Sequence, residues 1–506
     1  MRFVNHVSKE KKVCHMVLLA ISPIVLVLIG MIGFRKPAMV IAPIALIYAA
    51  ILGITCFSAE PGMVVSQCGK GLVEGFKIIL LLFSSFVILQ MMKETGAMDQ
   101  VKRILANITG DRRAQLIIVG LMLPIFLEGA AGAGSPAAIA APFLVGLGFD
   151  PVTAAMVALL GDATPCSWGG AGLTTITGSA YLVSQGCMTT AQASAMVGRF
   201  HMFGVLIIPA LIVLLVFGAK GFRGIGHYVI FSSVSTSLVM FLLSNFVGPE
   251  ITSLGTGLIS IALSVLFLKN IKLDTPEEYR YVPDQHTVLK YHTLQAFGPY
   301  LAMVILLPVV RYTFPWAVLT KFGYIVWVDC VVFLCAVIGA VMLKASPADF
   351  GSYLAVTVKK LLPAFITMSS LLVVSYIMQK AGMLGLVAQF LAGAAGAAYP
   401  AVAALIGSTG AFITGTGLGS NIMFAPMHLE AALNLHMNPI TVFSAQNAGA
   451  SIGNMICPNN VVACSTTVGL IGREGEVMRK VFPPFFVLLA LYMILALLYT
   501  SVLFPA

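Results

Sequence analysis

Apolar stretches long enough to cross a bilayer recur along the whole chain and leave it little freedom in what to fold into. The clearest are Met16–Phe34, Pro37–Phe57, Ile78–Met92, Gly204–Gly218, Tyr228–Phe246, Ile251–Leu268, Tyr324–Leu343 and Phe482–Leu503. At ~1.5 Å per residue, about 20 helical residues cover the ~30 Å hydrocarbon layer. Of 506 residues, 59% are hydrophobic and 9% charged, whereas a soluble domain carries about a quarter charged. A soluble core of this length would need a charged surface that the composition does not supply. The expected fold is an all-α polytopic membrane protein with about 12 transmembrane helices, counted at ~20 residues per span, plus two re-entrant or broken segments.

The first apolar run follows Arg2, Lys9, Lys11 and Lys12, as in a signal peptide. It is too long for one, and Gly33-Phe34-Arg35-Lys36-Pro37 is no small-residue cleavage site, so it is expected to stay as a span. The net charge of +10 falls between the spans, where Lys and Arg mark cytoplasmic loops. No basic patch with interleaved aromatics accompanies it, which argues against nucleic acid as a partner. The nine cysteines form no CxxC pair, so neither a zinc site nor a disulfide framework is indicated. His428, Glu430 and His436 do not share one helical face; they are expected as interfacial residues rather than metal ligands. No cofactor is implied.

The most hydrophilic interior stretch, Lys269–His292, divides the chain roughly in half. On either side the sequence repeats itself. LMLPIFLEGAAGAGSP and then LGFDPVTAA in the first half correspond to LIGSTGAFITGTGLGSN and then LHMNPITVF in the second. Phe126-Leu127-Glu128-Gly129 thus pairs with Phe412-Ile413-Thr414-Gly415, and Asp150-Pro151 with Asn438-Pro439. We expect a first repeat at 1–218, connecting spans and linker at 219–292, and a second repeat at 293–506. Secondary transporters often carry such repeats in inverted topology. Charge agrees: the first connector holds Lys93, Lys102, Arg103, Arg112 and Arg113, while its counterpart holds only Lys380. The N-terminal basic cluster runs against this scheme.

Each half has a Gly-, Ser- and Thr-rich segment in an apolar setting, at 126–136 and 412–421. Gly costs ~1 kcal/mol and Pro ~3 kcal/mol in a helix relative to Ala, so neither segment holds a regular helix well. A helix broken at membrane depth is tolerated only inside protein or beside a wet cavity. The break frees backbone N–H groups and the positive end of a helix dipole, both suited to a carboxylate. Two breaks in matching positions point to a midplane substrate site; the bland alternative is close helix packing through small residues. The substrate-binding candidates are Gly129, Gly132, Gly134, Ser135, Thr164, Thr416, Ser420, Asn421, Asn447, Asn454 and Asn459. Their hydroxyls and amides can meet an anion or a sodium ion, or simply bond neighbouring helices.

Glu128 and Asp162 are the acids expected at membrane depth, where a carboxylate costs roughly 2.5–3.5 kcal/mol and must face a cavity or a partner. Burial disfavours the charged form of a carboxyl, so both are candidates for proton or ion coupling. Glu128 could instead cap a half-helix. Arg199-Phe200-His201 opens a span, where a snorkelling arginine is the ordinary reading.

These stretches resemble the bacterial L-lactate permease family. The matching segments are FLEGAAGAGSPAAIAAPFLVGLGFDPVTAA (126–155) and SNIMFAPMHLEAALNLHMNPITVFSAQNAGASIGNMICPNNVVACSTTVGLIGREGE (420–476). Glu128, Gly129, Gly132, Gly134 and Pro136 match that family's F-I-E-G-x-A-G-F-G-T-P, with Ser135 standing for Thr. The resemblance implies a proton symporter of lactate, glycolate or a related 2-hydroxy monocarboxylate in the bacterial inner membrane. It also implies an inverted repeat like that of the ion transporter superfamily. Three departures stand out. Gly417 replaces an acid, Asn454 replaces a lysine, and Asp162 adds an acid where the family has Asn. Asp162 is therefore expected to take over charge lost at position 417.

Other classes fit less well. A sodium-coupled carrier of a di- or tricarboxylate or a sugar acid would be expected to need more cationic donors. A channel would need a continuous polar pore, and an enzyme a nucleophile with its base or a metal cluster. The expected partners are a small carboxylate, a proton or sodium ion, and membrane lipid; association into a homo-oligomer is left open.

Overall fold

Where the sequence sets proline, glycine or an Asx residue between apolar runs, one helix stops and the next begins. The computed structural model describes residues 2–34, 36–97, 100, 108–130, 135–281, 290–296, 298–315, 318, 321 and 324–505. Among them no strand forms; one isolated bridge pairs Asp111 with Arg280.

In chain order, α1 (Arg2–Leu28), α2 (Ala38–Cys56) and α3 (Pro61–Thr95) come first. Met16–Phe34 falls on α1 and the π turn Ile29–Gly33 that follows it. Ile78–Met92 is only the second half of α3, whose first half carries Lys70, Glu74 and Lys77. The first half then continues with α4 (Arg112–Ile117), a π turn (Ile118–Met122), α5 (Leu123–Ala130), α6 (Ser135–Gly146), α7 (Pro151–Gly161) and α8 (Gly169–Ser184). Long helices α9 (Thr190–Phe217), α10 (Gly226–Phe246) and α11 (Pro249–Asn270) lead to the linker. Beyond it lie α12 (Gly298–Thr313), α13 (Tyr324–Met342), α14 (Pro347–Lys380) and α15 (Met383–Ala395). The chain closes with α16 (Tyr399–Thr414), α17 (Gly417–Asn434), α18 (Pro439–Gly453), α19 (Pro458–Thr467) and α20 (Glu474–Leu498).

Length and apolarity qualify six of these stretches to cross a membrane: Met39–Cys56, Thr190–Phe217, Gly226–Phe246, Pro249–Asn270, Gly393–Thr414 and Glu474–Leu503. A seventh is added if α14, bent by 42° beside Pro363, counts as one span; proline removes a helical hydrogen bond and kinks the rod. Other apolar helices, Pro136–Gly146, Pro151–Gly161 and Asp329–Met342 among them, are too short to cross alone. The chain is thus a multi-pass integral membrane protein.

The order of elements in the two halves matches. Asp150 caps α7 by accepting from Thr153 N–H, and Asn438 caps α18 by accepting from Ile440 N–H, each just before a proline. Each of these helices stops at a 3-10 turn, Pro165–Trp168 or Asn454–Ile456, and resumes as α8 or α19. Their directions are opposed. Asp150, at the start of α7, and Arg473, beyond the end of α19, line one crevice. Leu182, near the end of α8, shares an apolar cluster with Phe443, near the start of α18. The halves also exchange partners, with α8 packed on α17 and α6 on α19.

Polar loops gather at one end. Buried Arg113 donates to the Asp111 carboxylate from Nε and Nη2 and to the carbonyls of Gly221 (2.9 Å) and Arg223 (2.7 Å) from Nη1. Thr275 Oγ1 donates to the same carboxylate, at 2.9 Å, and Tyr281 N–H to Gly110 O, at 2.7 Å. Arg112 reaches Gly148 O at 3.0 Å. The first connector, the 218–225 loop and the start of the linker are thereby tied together. The segment 101–107 and most of the linker's later part, 282–289, lie outside the described residues. Removing one partner from a buried ion pair costs ~3–5 kcal/mol. Asp111→Ala should therefore lower the thermal unfolding midpoint in detergent well below that of wild type, and an unchanged midpoint would refute this anchor.

Candidate functional site

The second-half break is short and fully shaped by its own side chains. Gly415, at φ 82°, ends α16 in the left-handed region that glycine alone enters freely. Thr416 caps α17, its hydroxyl accepting from Gly419 N–H at 2.9 Å. The positive end of α17 then points across to the first half. A methyl group placed on Gly417 would lie 3.3 Å from Cys166 Sγ and 3.5 Å from Thr174 Cγ2. In the first half α5 stops at Ala130 and Ser135 opens α6; Gly132 and Gly134 lie outside the described residues. Gly129 has a packing role. A side chain there would run into the backbone of Leu254, and one on Gly257 into that of Phe126, so α5 and α11 cross at glycine contact. Ser253 Oγ donates to Ile125 O across the same crossing at 2.7 Å.

That crossing fixes Glu128, which is 1% exposed, opposite Asp162, which is 3% exposed. Their carboxyl groups stand within hydrogen-bonding reach of each other. Gly169, the first residue of α8, lies directly under Glu128 Oε1, where a Cβ would collide. Glu128 Oε2 and Asp162 Oδ1 are buried without a hydrogen-bond partner. So are Thr164 Oγ1, Asn421 Oδ1, Gln446 Oε1 and Asn459 Oδ1. Buried polar atoms are normally paired, so a group of unpaired ones at two breaks fits a ligand-binding centre. Asn459, with Phe412, Ile413 and Pro458, borders a cavity of about 30 Å³, roomy enough for water.

Other candidates are already committed within the protein. Ser420 Oγ donates to Gly407 O (2.9 Å) and accepts from Gln446 Nε2 (3.1 Å). Asn421 Nδ2 donates to Thr174 O at 3.3 Å. Asn454 Oδ1 accepts from Asn460 Nδ2 at 2.6 Å. Asn447 accepts from Ser167 Oγ at 2.7 Å and donates to Thr175 Oγ1 at 3.1 Å. It belongs with Ser451, whose hydroxyl serves Ala163 O (2.7 Å), Thr164 O (3.1 Å) and Ser167 N–H (3.1 Å). Together these α18 residues hold the first-half break that carries Asp162.

The latch continues into residues that the sequence pattern did not flag. Ser167 has one hydroxyl proton and gives it to Asn447, so it accepts from His201 Nε2 at 2.8 Å. His201 Nδ1 is then the acceptor for the Tyr492 hydroxyl at 2.7 Å. This donor order makes His201 a neutral Nε2–H tautomer. His201 and Tyr492 were legible only as span residues. Thr174 and Thr175 could have been suspected from the glycine- and hydroxyl-rich start of α8. His428 is buried rather than interfacial: its Nδ1 meets the Tyr399 hydroxyl at 2.7 Å, inside the bundle. Among the described residues no cluster of three His, Cys, Asp or Glu could hold a metal.

A many-helix membrane fold with two broken helices meeting at a buried oxygen-rich centre belongs to the class of membrane carriers. A sequence model of the L-lactate permease family matches residues 16–316 and 282–503, and the chain belongs to that family. The L-lactate permease of Bacillus subtilis is 25% identical over 494 residues, covering 85% of this chain and 86% of the relative. The glycolate permease GlcA of Escherichia coli is 24% identical, covering 91% of each chain. The L-lactate permease of Escherichia coli is 25% identical, covering 91% and 92%. A solved structure, that of Neisseria gonorrhoeae MtrF, superposes over 92% of this chain with a TM-score of 0.35 at 11% identity, a likeness that carries no weight for fold or function.

Losing the Ser451 hydroxyl would strand two carbonyls and one N–H, at about 1–3 kcal/mol for each buried group left unpaired. Ser451→Ala should accordingly unfold at a lower temperature in detergent, and a wild-type melting curve would show that the latch is not needed.

Proposed function

We propose that the protein is a secondary active transporter of L-lactate or a related small 2-hydroxy monocarboxylate, driven by proton symport. The facing Glu128–Asp162 pair beside the break at Gly415–Thr416 carries this reading. Two carboxyl groups in contact do not both ionise readily, so at least one holds a proton while they face each other. Loading and releasing that proton changes the charge of a closed centre by one, which suits coupling to a monoanion. The substrate carboxylate is met by the positive dipole end of α17. Its 2-hydroxyl donates to one of the unpaired oxygens of Thr164, Asn421 or Asn459.

In this reading the matched order of elements is an inverted repeat, with units at 1–218 and 293–506 joined by 219–292, and the centre lies at mid-membrane. About 12 spans follow when short helices are counted as broken or tilted crossings. The end carrying Arg112, Arg113, Arg223 and Arg473 faces the cytoplasm of a bacterial inner membrane. Alternating access moves one set of helices against the other around the fixed centre.

The unpaired carboxyl, hydroxyl and amide oxygens of Glu128, Asp162, Thr164, Asn421 and Asn459 also favour a second reading, coupling to sodium, which prefers oxygen ligands. A di- or tricarboxylate or sugar acid is less well served. Among the described residues Arg113 is the only buried Lys or Arg, and it is tied up at the polar end.

In proteoliposomes, labelled L-lactate should accumulate under an inward proton gradient and be competed by glycolate. Asp162→Asn and Glu128→Gln should keep a wild-type elution profile but lose gradient-driven accumulation by about 100-fold or more, equivalent to ~2.7 kcal/mol. Accumulation under a sodium gradient alone would replace the proton with sodium. Unchanged uptake by both variants would remove the pair from coupling.

A further inference from the structure

At the polar end, well away from the buried centre, lies a crevice of about 500 Å³. It is walled by Lys36, Asp150, Arg473, Glu476, Arg479 and Lys480. Four cations face two carboxylates, a surplus of two positive charges. The acids are moreover occupied. Asp150 caps α7 through Thr153 N–H, and Glu476 takes both Arg473 donors, at 2.9 and 2.7 Å. Lys36, Arg479 and Lys480 form no ion pair among the described residues; Lys480 Nζ meets only the Thr153 hydroxyl, at 3.2 Å, and Arg479 Nε only Gly475 O, at 3.2 Å. Cations lining one crevice repel each other, and an anion between them relieves that repulsion.

The depth of the crevice says which anion. One span, Met39–Cys56, begins three residues after Lys36, and another, Glu474–Leu503, begins one residue after Arg473. The cations therefore stand where spans leave the hydrocarbon. The 11 residues of α7 separate Asp150 from Asp162, about 16 Å of helix, which is about half the hydrocarbon thickness. The crevice is at headgroup level if the acidic pair is near the midplane. Beside it Phe34 is 71% exposed and Ile471 42% exposed, an apolar surface of the kind that acyl chains cover. We propose that this crevice binds the phosphate-bearing headgroup of an anionic membrane lipid, with Lys36, Arg479 and Lys480 supplying the charge and the chains lying against Phe34 and Ile471. Basic pockets between spans are suited to such headgroups, and a guanidinium pairs well with phosphate.

The test uses the delipidated full-length protein in neutral detergent, titrated calorimetrically in separate arms with short-chain phosphatidylglycerol, short-chain phosphatidylcholine and inorganic phosphate. Wild type should bind phosphatidylglycerol saturably and phosphatidylcholine not at all. The triple variant Lys36→Gln/Arg479→Gln/Lys480→Gln should bind phosphatidylglycerol about tenfold more weakly or worse. Because Lys480 bonds Thr153, a second variant, Lys36→Glu, changes one exposed side chain and should weaken binding in the same direction if the triple variant does not fold. Inorganic phosphate binding that is lost in the same variants, without lipid binding, would keep the phosphate site but overturn the lipid as its source. Equal phosphatidylglycerol affinity in wild type and variants, or displacement of the lipid by L-lactate at equal potency in wild type and variants, would overturn the proposal.

Discussion

Inside a bilayer there is no water to pair a broken helix, so every backbone group released at a break has to be paired by the protein itself. The rest of this structure depends on meeting that constraint twice. At Gly415–Thr416 the local side chains suffice, through the Thr416 cap and the Thr414 hydroxyl bonded to Gly410 O and Thr416 O. At Asp162–Trp168 they do not. There Ser451 and Asn447 of the other half reach in to pair Ala163 O, Thr164 O, Ser167 N–H and Ser167 Oγ. The consequence is that the first half holds its turn at Asp162–Trp168 with the help of the second. Any motion that changes access to the centre must carry this latch along or break it.

What the breaks leave unpaired defines the chemistry. The carboxyls of Glu128 and Asp162 and the oxygens of Thr164, Asn421, Gln446 and Asn459 accept hydrogen bonds or bind cations, but a carboxylate substrate needs donors. In the proposed function the donors are helix ends rather than Lys or Arg. On that reading a proton on the acids and an anion on the helix dipole occupy neighbouring places. The family pattern has a lysine at position 454. There Asn454 is bonded to Asn460 instead.

Much of this was legible in the sequence. Span-length apolar runs require a helical membrane fold, because only helices and closed barrels satisfy the backbone in lipid and these runs lack the alternation of barrel strands. Asp150-Pro151 and Asn438-Pro439 announce two matching helix starts, and both caps form. The glycine-rich segments announce two breaks. The acids Glu128 and Asp162 stand out because uncompensated charge is expensive at depth. What one sequence cannot reveal is which polar residues are free. Asn447 and Asn421 look alike on paper, yet Asn447 has both side-chain atoms bonded to Ser167 and Thr175 while Asn421 Oδ1 has no partner.

The sequence by itself thus determined the class of fold, the break at Gly415–Thr416 and the identity of the acids, because hydropathy, helix propensity and charge cost are local properties of the chain. Tertiary structure alone decided that Glu128 and Asp162 face each other, that Ser451 and Asn447 are structural, and that His201 is sealed between Ser167 and Tyr492. Those outcomes depend on contacts between residues tens to hundreds of positions apart, such as the glycine contact of α5 with α11, and no local pattern carries that information.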